Sequence, residues 1–412
     1  MRILIIGEGG RESALATKLQ KDARVSQMFF ANGNATTDKI GKNIHLSEIN
    51  ELRDFAIKEK VDLTIVGPEA PLVAGLKDEF KKHDLKVFGP TQKVASLEGS
   101  KAFSKKFMKT YNIKTAKAEV FDAYNDAKEY LQTQQFPLVI KASGLAGGKG
   151  VVICETLEEA EATIHDFMIR RIFGDAGIRV VIEEYLQGFE ASIIAFSNGE
   201  KLFPCVAAKD YKKAGNGDTG PNTGGMGAVA PSPEFTAEHF ADFEKNILEP
   251  TVTGLKGEGF GFKGIIFFGL MITKNGTYLL EYNMRFGDPE TQVLMALMEN
   301  NLLDVINDCL DGKDIQLKFK DEKAVCLVMC SGGYPRNIET GFEIVGENKV
   351  KHSTILYAGA VKRGDKVVSN GGRVLNIVAT GATYDDARKK VYEDASHVHF
   401  DYSFYREDIG KF

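Results

Sequence analysis

The stretch Tyr278-Leu279-Leu280-Glu281-Tyr282-Asn283-Met284-Arg285-Phe286-Gly287-Asp288-Pro289-Glu290 decides how this chain is interpreted, because an apolar run ends in polar side chains. Side chains alternate along a strand, so Glu281 and Asn283 are predicted to share a face, with Arg285 next on it. Carboxylate and amide oxygens suit Mg²⁺, and the arginine suits an anion. The segment indicates phosphoryl transfer from a nucleotide; the alternative is an ordinary solvated strand end.

A glycine-rich segment, KASGLAGGKGV at 141–151, follows a predicted strand at 137–142. Four glycines surround Lys149, and Lys141 ends the strand. Glycine lets backbone N–H groups close over phosphates, and lysine supplies a point charge. No Ser or Thr follows the Gly-Lys pair, so this is not a Walker motif. The segment predicts a phosphate-binding lid, with a flexible β-hairpin as the alternative.

The first glycine turn, GEGGRESA at 7–14, follows the apolar run Ile3–Ile6. Gly7 and Gly9 fit a dinucleotide fingerprint, but Glu12 stands where the third glycine belongs. The second strand ends in FFANGN, without the acidic residue that would bind a ribose. The pattern argues against a nicotinamide cofactor. The turn can still bind another phosphate or sugar, or be a tight strand–helix turn.

Two further segments carry polar side chains between apolar runs. The strand VVIEEYLQGFEAS (180–192) can offer its backbone to an adenine edge and Glu190 to ribose hydroxyls, although glutamates at strand ends are usually solvated. The segment 209–230, KDYKKAGNGDTGPNTGGMGAVA, is predicted to be a long loop that binds a ligand or is a floppy insertion. Its candidate contacts are Asp210, Lys212, Asp218, Asn222 and Thr223.

Composition excludes several classes of protein. The chain has 412 residues, 43% of them apolar, so two to four domains are expected. A net charge of −5 without a long basic run argues against nucleic-acid binding. No apolar stretch reaches the roughly 18 residues of a membrane helix, and the N-terminal run is too short for a signal peptide. Five sparsely spaced cysteines without zinc-type spacing indicate the cytoplasm.

The chain divides into three parts by pattern. Residues 1 to about 100 alternate strand and helix, which favours a parallel sheet with helices on both faces. A second unit begins near 101, with predicted helices at 234–255 and 291–310. The last part, about 321–412, has short strands and one helix, and is predicted to be a small mixed or barrel-like domain. A helix at 72–83 is expected in the first part.

Nine segments in order carry a family resemblance: GEGGRE, TIVGPEAPLVAGL, GPT, LEGSKAFSKKFM, KASGLAGGKGV, VVIEEYLQGFEAS, DTGPNTGGMGA, EYNMRFGDPETQ and NGGRVL. Together they resemble the ATP-grasp ligases, and within them the phosphoribosylamine–glycine ligase family. The resemblance implies an α/β and α+β multidomain fold. Its parts would be a Rossmann-like substrate-binding domain (1–100), an ATP-grasp domain (101–320, with a mobile lid at 115–187) and a C-terminal domain (321–412).

The same resemblance implies a reaction and its participants. ATP would convert glycine to an acyl phosphate, which 5-phosphoribosylamine then attacks, giving glycinamide ribonucleotide, ADP and phosphate in purine biosynthesis. The implied cofactors are ATP and Mg²⁺ or Mn²⁺. The implied partners are these small molecules, with no nucleic acid or membrane, and the protein would be a cytoplasmic monomer. The alternatives are another ATP-grasp carboxylate–amine ligase and a non-catalytic nucleotide-binding regulator.

Roles for individual residues also follow from the resemblance alone. Metal binding falls to Glu281 and Asn283. The catalytic residues would be Arg285, Lys141, Asp288 and Asn222. ATP would contact Lys105 (or its rival Lys109), Lys141, Gly147, Gly148, Lys149, Gly150, Glu183, Glu184, Tyr185, Leu186 and Glu190. The substrates would contact Gly9, Gly10, Glu12, Glu69, Asp218, Thr223 and Arg373.

The chain departs from the family pattern at several positions. Ser13, Ser143 and Tyr211 stand where the family usually has His, Asp and His, which puts any essential role of those side chains in doubt. The predicted strand at 264–272, GIIFFGLMI, carries no carboxylate, so a second metal ion would lack one expected ligand.

Overall fold

The computed structural model describes residues 1–412, and its first part is a five-stranded parallel sheet. The strand order is β3-β2-β1-β4-β5, and every neighbouring pair is parallel. In β1, Ile3 and Ile5 enter one apolar core whereas Leu4 and Ile6 enter another, as expected when helices cover both faces. The predicted Rossmann-like unit is confirmed. Its elements are β1 (Arg2–Gly7), α1 (Gly10–Leu19), β2 (Gln27–Asn32), α2 (Ala35–Ile40), β3 (Lys42–Ile44), α3 (Ile49–Lys58), β4 (Leu63–Val66), α4 (Glu69–Val73), α5 (Leu76–Lys81) and β5 (Val87–Phe88).

The single helix expected at 72–83 is wrong, because the structure has α4 and α5 there. Gly75 separates them with a φ of +90°, a left-handed conformation that interrupts a right-handed helix. The first of these helices, α4, begins at Glu69, whose carboxylate lies 3.3 Å from Arg285 of the opening segment.

A small four-stranded antiparallel sheet, ordered β6-β9-β7-β8, forms the second part. It has its own core of 12 buried apolar residues, separate from every other cluster, so it is a distinct packing unit. The loop 143–150 joins β7 to β8, which pair as a hairpin. The elements up to this point are α6 (Gln92–Gly99), α7 (Lys101–Thr110), β6 (Ala118–Phe121), α8 (Tyr124–Leu131), β7 (Leu138–Ala142), β8 (Val151–Cys154), α9 (Leu157–Ile164), a π-helical turn (His165–Ile169) and β9 (Val180–Glu184).

The third part is an antiparallel sheet ordered β11-β10-β16-β17. α7 and the helical segment 237–257 cover one face of this sheet, and their apolar residues share its core. From residue 189 the elements are β10 (Phe189–Asn198), β11 (Leu202–Pro204), β12 (Lys209–Asp210), β13 (Lys213–Gly215), β14 (Thr219–Asn222), β15 (Gly227–Ala230), α10 (Ala237–Phe243), a π-helical turn (Glu244–Leu248), α11 (Glu249–Gly257), β16 (Lys263–Thr273), β17 (Gly276–Asn283), α12 (Glu290–Leu297) and α13 (Leu302–Asp311).

The segment 209–230 is not the long loop that its composition suggests, because it contains β12 to β15. β15 pairs with β18, and β12 pairs with β15, so this segment supplies two strands to the C-terminal sheet, ordered β12-β15-β18-β22-β19. The remaining elements are β18 (Lys323–Cys330), β19 (Thr354–Tyr357), β20 (Ala360–Arg363), β21 (Lys366–Ser369), β22 (Arg373–Gly381) and α14 (Tyr384–Ala395).

One apolar core joins the three sheets that surround the opening segment. This cluster of 37 buried residues includes Ile3 of β1, Ile194 of β10 and Cys326 of β18, with α12 and α13 between them. The strand end at Asn283 and the segment that follows it therefore lie at the junction of the N-terminal, central and C-terminal sheets. No helix is both long and apolar enough to span a membrane.

Candidate active site

Glu281 and Asn283 lie at the C-terminal end of β17, on either side of the buried Tyr282. They lie opposite Gly269 and Phe267 of β16, and a bulge at Leu280 breaks the pairing just before them. Gly269 has no side chain, which leaves room above the pair of polar groups. A Cβ added at Gly269 would lie 3.3 Å from Glu281 Cγ.

Four cations surround the Glu281 carboxylate. Burial raises the pKa of Glu281, but Lys141, Lys212, Lys101 and Arg285 outweigh it and hold the pKa below its usual range. All of these favourable influences are Coulombic, and none is a hydrogen bond to the carboxylate. Glu281 is thus ionised at neutral pH, with its oxygens free to bind a ligand.

A buried carboxylate links the two lysines expected at the ATP phosphates. Glu183 Oε2 lies 3.0 Å from Lys141 Nζ, and Glu183 Oε1 lies 3.3 Å from Lys105 Nζ. Burial lowers the pKa of Lys105 to about 8, although Glu183 opposes the shift. Lys105 belongs to this buried cluster, whereas Lys109 is exposed. The Glu183 side chain therefore forms ion pairs with the two lysines. Only the backbone of Glu183 is left for the expected adenine hinge.

The expected hinge and lid lie at the two ends of the small sheet. Beyond β9, Tyr185 is 39% exposed, and the Glu184 carboxylate accepts the Lys117 N–H at 2.8 Å. In the loop before β8, Gly147 and Gly148 have positive φ angles of 56° and 75°. A Cβ added at either glycine would meet nothing within 4 Å, and Lys149 is exposed. The loop therefore has open space around Gly147 and Gly148.

A half-buried cluster of alternating charge lies beside the strand end. Lys212 forms an ion pair with Glu190, and its pKa is raised because Glu190, Asp210 and Glu281 outweigh the effect of burial. Burial and the nearby Glu290 raise the pKa of Asp210 well above its usual value. The Asp210 Oδ1 atom has no hydrogen-bond partner. Such an orphaned acceptor is typical of a site that a ligand completes.

Arg285 is held between two carboxylates of the N-terminal part. Its guanidinium lies 3.1 Å from Glu98 and 3.3 Å from Glu69. Glu98 is buried and also accepts the Met284 N–H at 2.6 Å. These contacts fix the arginine at the end of β17, where its charge acts on Glu281.

Asp288 and Arg373 connect the same segment to the C-terminal sheet. Arg373 Nη1 donates to the carbonyl oxygens of Asp288 at 2.8 Å and Gly224 at 2.5 Å, and lies 3.5 Å from Asp288 Oδ1. Burial raises the pKa of Asp288, but Arg373 and Arg11 hold it below the usual value. A Cβ on Gly9 would lie 2.8 Å from Asp288 Oδ2, so the first glycine turn approaches this carboxylate closely.

Glu12 is fully buried, and each of its carboxylate oxygens accepts a hydrogen bond from within the turn. Glu12 Oε2 accepts the Gly9 N–H at 2.7 Å, and Oε1 accepts Arg11 Nε at 2.6 Å. A Cβ at Gly67 would lie 1.6 Å from Glu12 Oε1, so this carboxylate fills the space beneath the turn. A Cβ at Gly7 would likewise lie 2.6 Å from Glu12 Oε1, and one at Gly9 2.8 Å from Glu12 Oε2, so the glycines of the first turn also make room for Glu12.

The hairpin β13–β14 places its candidate residues differently. Asp218, at the hairpin tip with a φ of 55°, pairs with Arg406 at 2.8 Å rather than with the strand end. Asn222 is exposed opposite Lys213. Thr223 Oγ1 accepts the Gly225 N–H at 3.0 Å and donates to the Lys212 carbonyl at 2.8 Å, which shapes the turn beside Arg373.

The three residues that depart from the family pattern have structural contacts. Ser13 Oγ donates to the Tyr357 carbonyl at 2.6 Å, and Ser143 Oγ accepts the Ala102 N–H at 3.1 Å. The Tyr211 hydroxyl accepts the Gly410 N–H at 3.2 Å. All three side chains are buried. These replacements therefore join elements together within the fold.

Residues without an assigned role in the sequence complete the site. Glu98, Glu290 and Gln292 lie inside recognisable motifs, LEGSK and GDPETQ, but motif matching gave no function to them. Lys101 is close enough to Glu281 to lower its pKa. Only the density of charged residues in these motifs could have signalled them.

A divalent cation fits the donor set at the strand end. The ionised Glu281 and the adjacent Asn283 supply hard oxygen atoms and make no hydrogen bond or ion pair within the protein. No group of three or more His, Cys, Asp and Glu side chains is arranged to hold a metal ion. The two side chains therefore fit as part of a coordination shell that phosphate oxygens and water would complete.

The chain matches three family models in sequence order. Residues 1–98 match the phosphoribosylglycinamide synthetase N domain, residues 99–291 its ATP-grasp (A) domain, and residues 324–412 its C domain. The chain is 49% identical over 415 residues to a phosphoribosylamine–glycine ligase of Clostridium acetobutylicum, covering 100% of both. It is 46% identical over 420 residues to that of Salmonella typhimurium, covering 100% of this chain and 98% of the relative.

Solved structures share the fold. A crystal structure of phosphoribosylamine–glycine ligase from Thermotoga maritima superposes with a TM-score of 0.86 at 35% identity, covering 99% of this chain and 100% of that one. A biotin carboxylase domain of the Hydrogenobacter thermophilus 2-oxoglutarate carboxylase, solved with MgADP, ADP and bicarbonate, has a TM-score of 0.76 at 14% identity. It covers 98% of this chain and 91% of that chain, and shows likeness of fold alone.

Proposed function

The chain belongs to the phosphoribosylglycinamide synthetase family, and from that premise we propose that it joins glycine to 5-phosphoribosylamine with cleavage of ATP. The observation that carries the proposal is the cluster of cations near the ionised Glu281, namely Lys101, Lys141, Lys212 and Arg285, of which Lys141 is fixed by Glu183 and Arg285 by Glu98. Such a cluster of cations suits a transition state in which negative charge spreads over a transferred phosphoryl group.

The chemistry explains why a ligase needs this arrangement. A glycine carboxylate is a poor electrophile, so one of its oxygens first attacks the γ-phosphorus of ATP, and ADP leaves. The amine of phosphoribosylamine then attacks the carbonyl carbon of the glycyl phosphate. Phosphate leaves with the carboxylate oxygen, the amine loses a proton, and an amide bond results. Positioning and charge neutralisation supply most of the rate enhancement.

For ATP we propose contacts around the Lys105–Glu183–Lys141 cluster. The two lysines would bind phosphates, with Gly147, Gly148, Lys149 and Gly150 closing over them. The backbone from Glu183 to Leu186 would meet the adenine, and Glu190 the ribose once it exchanges its Lys212 partner. The short ion-pair distances of Glu183 support the lysine assignment.

For the two substrates we propose the region between Arg285 and Arg373. Arg285 would neutralise the glycine carboxylate or the transferred phosphoryl group, with Asn222 and Thr223 nearby on the β14 turn. The ionised Asp288 would attract the ammonium form of an amine and orient it. Gly9, Gly10 and Glu69 would line the phosphoribosylamine site, whereas Glu12 would shape it from beneath. Asp218 would join only if its hairpin moved away from Arg406.

The family uses a divalent metal, and we propose that Glu281 and Asn283 hold Mg²⁺ or Mn²⁺. When bound, the ion would neutralise charge between the phosphates of ATP and the carboxylate. Glu281 keeps its oxygens available because four cations, rather than hydrogen bonds, stabilise its charge.

A single assay tests the reaction. Purified protein is mixed with ATP, Mg²⁺, glycine and freshly generated phosphoribosylamine, and phosphate release is followed with mass spectrometry of the product. We expect release that requires both glycine and the amine, with one glycinamide ribonucleotide formed per ADP. Release that proceeds without glycine, or with another amino acid at equal rate, would indicate a different ATP-grasp reaction.

We further propose that the enzyme acts as a monomer in the cytoplasm on small molecules only. Its five cysteines are free and buried, which supports a reducing compartment. Multi-angle light scattering at micromolar concentration measures the mass directly, and a value near 45.3 kDa is expected.

A further inference from the structure

A cavity of about 560 Å³ lies outside the proposed active site, where the end of α1 meets α12, β19 and β22. Its volume falls in the range of roughly 300–1,000 Å³ that small-molecule sites occupy. Nothing in the proposed reaction uses it.

Basic side chains dominate the rim of this cavity. Lys18, Lys21, Lys320 and His352 all line it, and Glu299 is the one acidic lining residue. Lys21 and Lys320 make no hydrogen bond through their side chains, and the nearest carboxylate to Lys320 is Glu322 at 3.8 Å. Outside the lining, Glu393 lies 3.8 Å from His352, so three lysines face a cavity lining that contains a single carboxylate.

The positive charges act on one another. Burial, together with the neighbouring Lys21 and Lys320, lowers the pKa of Lys18 to about 8, whereas Glu299 opposes the shift. The Lys18 ammonium donates to the Met298 carbonyl at the end of α12, and both residues line the cavity. An anion within the cavity would relieve the repulsion among these lysines.

The floor of the cavity is apolar and includes Met295, Leu356 and Val378. Thr17 and Thr354 also line the cavity and add hydroxyl groups to its wall. A cationic rim above an apolar floor suits a ligand with an anionic head and an organic body.

One layer of side chains separates the cavity from the proposed substrate region. Gln292, which lines the cavity, donates to Asp288 Oδ1 at 2.8 Å and to Asn376 Oδ1 at 3.3 Å. A Cβ on Gly10 would clash with the amides of Gln292 and Asn376, so the three residues close the wall. The cavity is therefore adjacent to the proposed site but closed off from it.

We propose that this cavity is a second ligand site, which binds a small phosphorylated molecule through Lys18, Lys21, Lys320 and His352. The phosphate lies against the lysines, and the organic part lies on the floor formed by α12 and the C-terminal sheet. The site is independent of the ATP lysines and of the proposed reaction.

Calorimetric titration with inorganic pyrophosphate tests the site. We expect the double variant Lys21→Gln/Lys320→Gln to lose one binding event of the wild-type protein, or to bind it at least about tenfold more weakly, as loss of charge-assisted hydrogen bonds predicts. The variant Thr354→Phe, which fills the cavity without removing a charge, should weaken the same event. Both variants should keep the wild-type kcat.

A matched control removes two lysine charges from a different part of the surface. Lys58→Gln/Lys389→Gln changes two exposed lysines outside the cavity and should bind pyrophosphate like the wild-type protein. Equal binding by the wild-type protein and both cavity variants would overturn the proposal, because the anion would then bind only elsewhere. So would the absence of any binding to the wild-type protein at millimolar pyrophosphate, or equal weakening in the control.

Discussion

At the scale of the residue, Glu281 owes its charge to four cations rather than to hydrogen bonds. Glu281→Gln keeps the size of the side chain and removes the charge that a divalent metal needs. We expect kcat/KM to fall by at least about 10²-fold, comparable to the loss of one transition-state contact, and the Mg²⁺ requirement to rise. Steady-state kinetics across a Mg²⁺ titration measure both.

The control for this substitution is Glu244→Gln, an exposed glutamate outside the site. It should leave kinetics and the melting temperature near wild-type values. Circular dichroism of Glu281→Gln should show a native fold, with a melting temperature within about 4 °C of wild type, as a loss near 1 kcal/mol predicts. Near-normal turnover would remove Glu281 from the metal site.

The pKa of Lys105 predicts how kcat/KM for ATP depends on pH. A lysine binds phosphate as its ammonium form, and burial lowers the pKa of Lys105 to about 8. As pH rises through about 8 the free enzyme loses this charge, so kcat/KM for ATP should fall, whereas below that pH it should be level. Profiles from pH 6.5 to 9.5 at saturating glycine measure the transition.

The variant Lys105→Arg retains its positive charge over this range, because arginine does not deprotonate. Its kcat/KM should be lower but should lack the inflection near pH 8. An inflection of unchanged position in this variant would assign the titration to another group. Lys106→Arg, at an exposed position on the same helix, should keep the wild-type profile.

Much of the site was predictable from residue types, and its network of ion pairs was not. Alternation along a strand placed Glu281 and Asn283 together, and the motif order placed Lys141 near them. The sequence could not show that Glu183 bridges Lys105 and Lys141, or that Glu98 holds Arg285 across 187 positions. Such partners depend on how distant elements pack, and no local pattern encodes that packing.

At the scale of the element, the loop between β7 and β8 has room to close. Gly147 and Gly148 have left-handed φ angles, and side chains added there would meet nothing. The double substitution Gly147→Ala/Gly148→Ala therefore adds backbone strain of about 1–2 kcal/mol per residue without a clash. We expect the KM for ATP to rise several-fold to about tenfold, and the same strain to lower the melting temperature by about 2–5 °C.

Gly364→Ala is the matched control for the lid. Gly364 also has a left-handed φ, 61°, and open space around it, but it lies in the turn between β20 and β21. It should cost similar strain and leave the KM for ATP unchanged. An equal rise in both variants would mean that the effect comes from general destabilisation rather than from the lid.

Elements whose own residues carry a strand or helix pattern were predictable. Elements that form only by pairing with segments far away in sequence were not. The alternation of the first 88 residues identified a parallel sheet because each strand is an apolar run. The composition of the segment 209–230 predicts a loop, which is wrong, because β12 to β15 are only two to four residues long and the segment is rich in glycine. β15 becomes a strand through pairing with β18, almost a hundred residues later, which composition cannot reveal.

At the scale of the whole molecule, the C-terminal part is not a separately packed domain. The division at residue 320 stays a prediction, and the sheet β12-β15-β18-β22-β19 takes strands from both sides of it. The large core likewise contains residues from the N-terminal, central and C-terminal sheets. The parts that define the site therefore depend on one another for stability.

Removal of residues 321–412 tests this dependence. The shortened chain would leave β15 as an exposed apolar edge, would uncover one side of α12, and would lose Arg373 from Asp288. We expect it to aggregate on expression, and co-expression of residues 321–412 as a separate chain to restore soluble, active protein. The single variant Arg373→Met separates the two effects, because it should stay folded while losing activity. A soluble shortened chain with a single cooperative unfolding transition would show instead that the first 320 residues form a complete folding unit, and that the sheet shared across residue 320 contributes little to their stability.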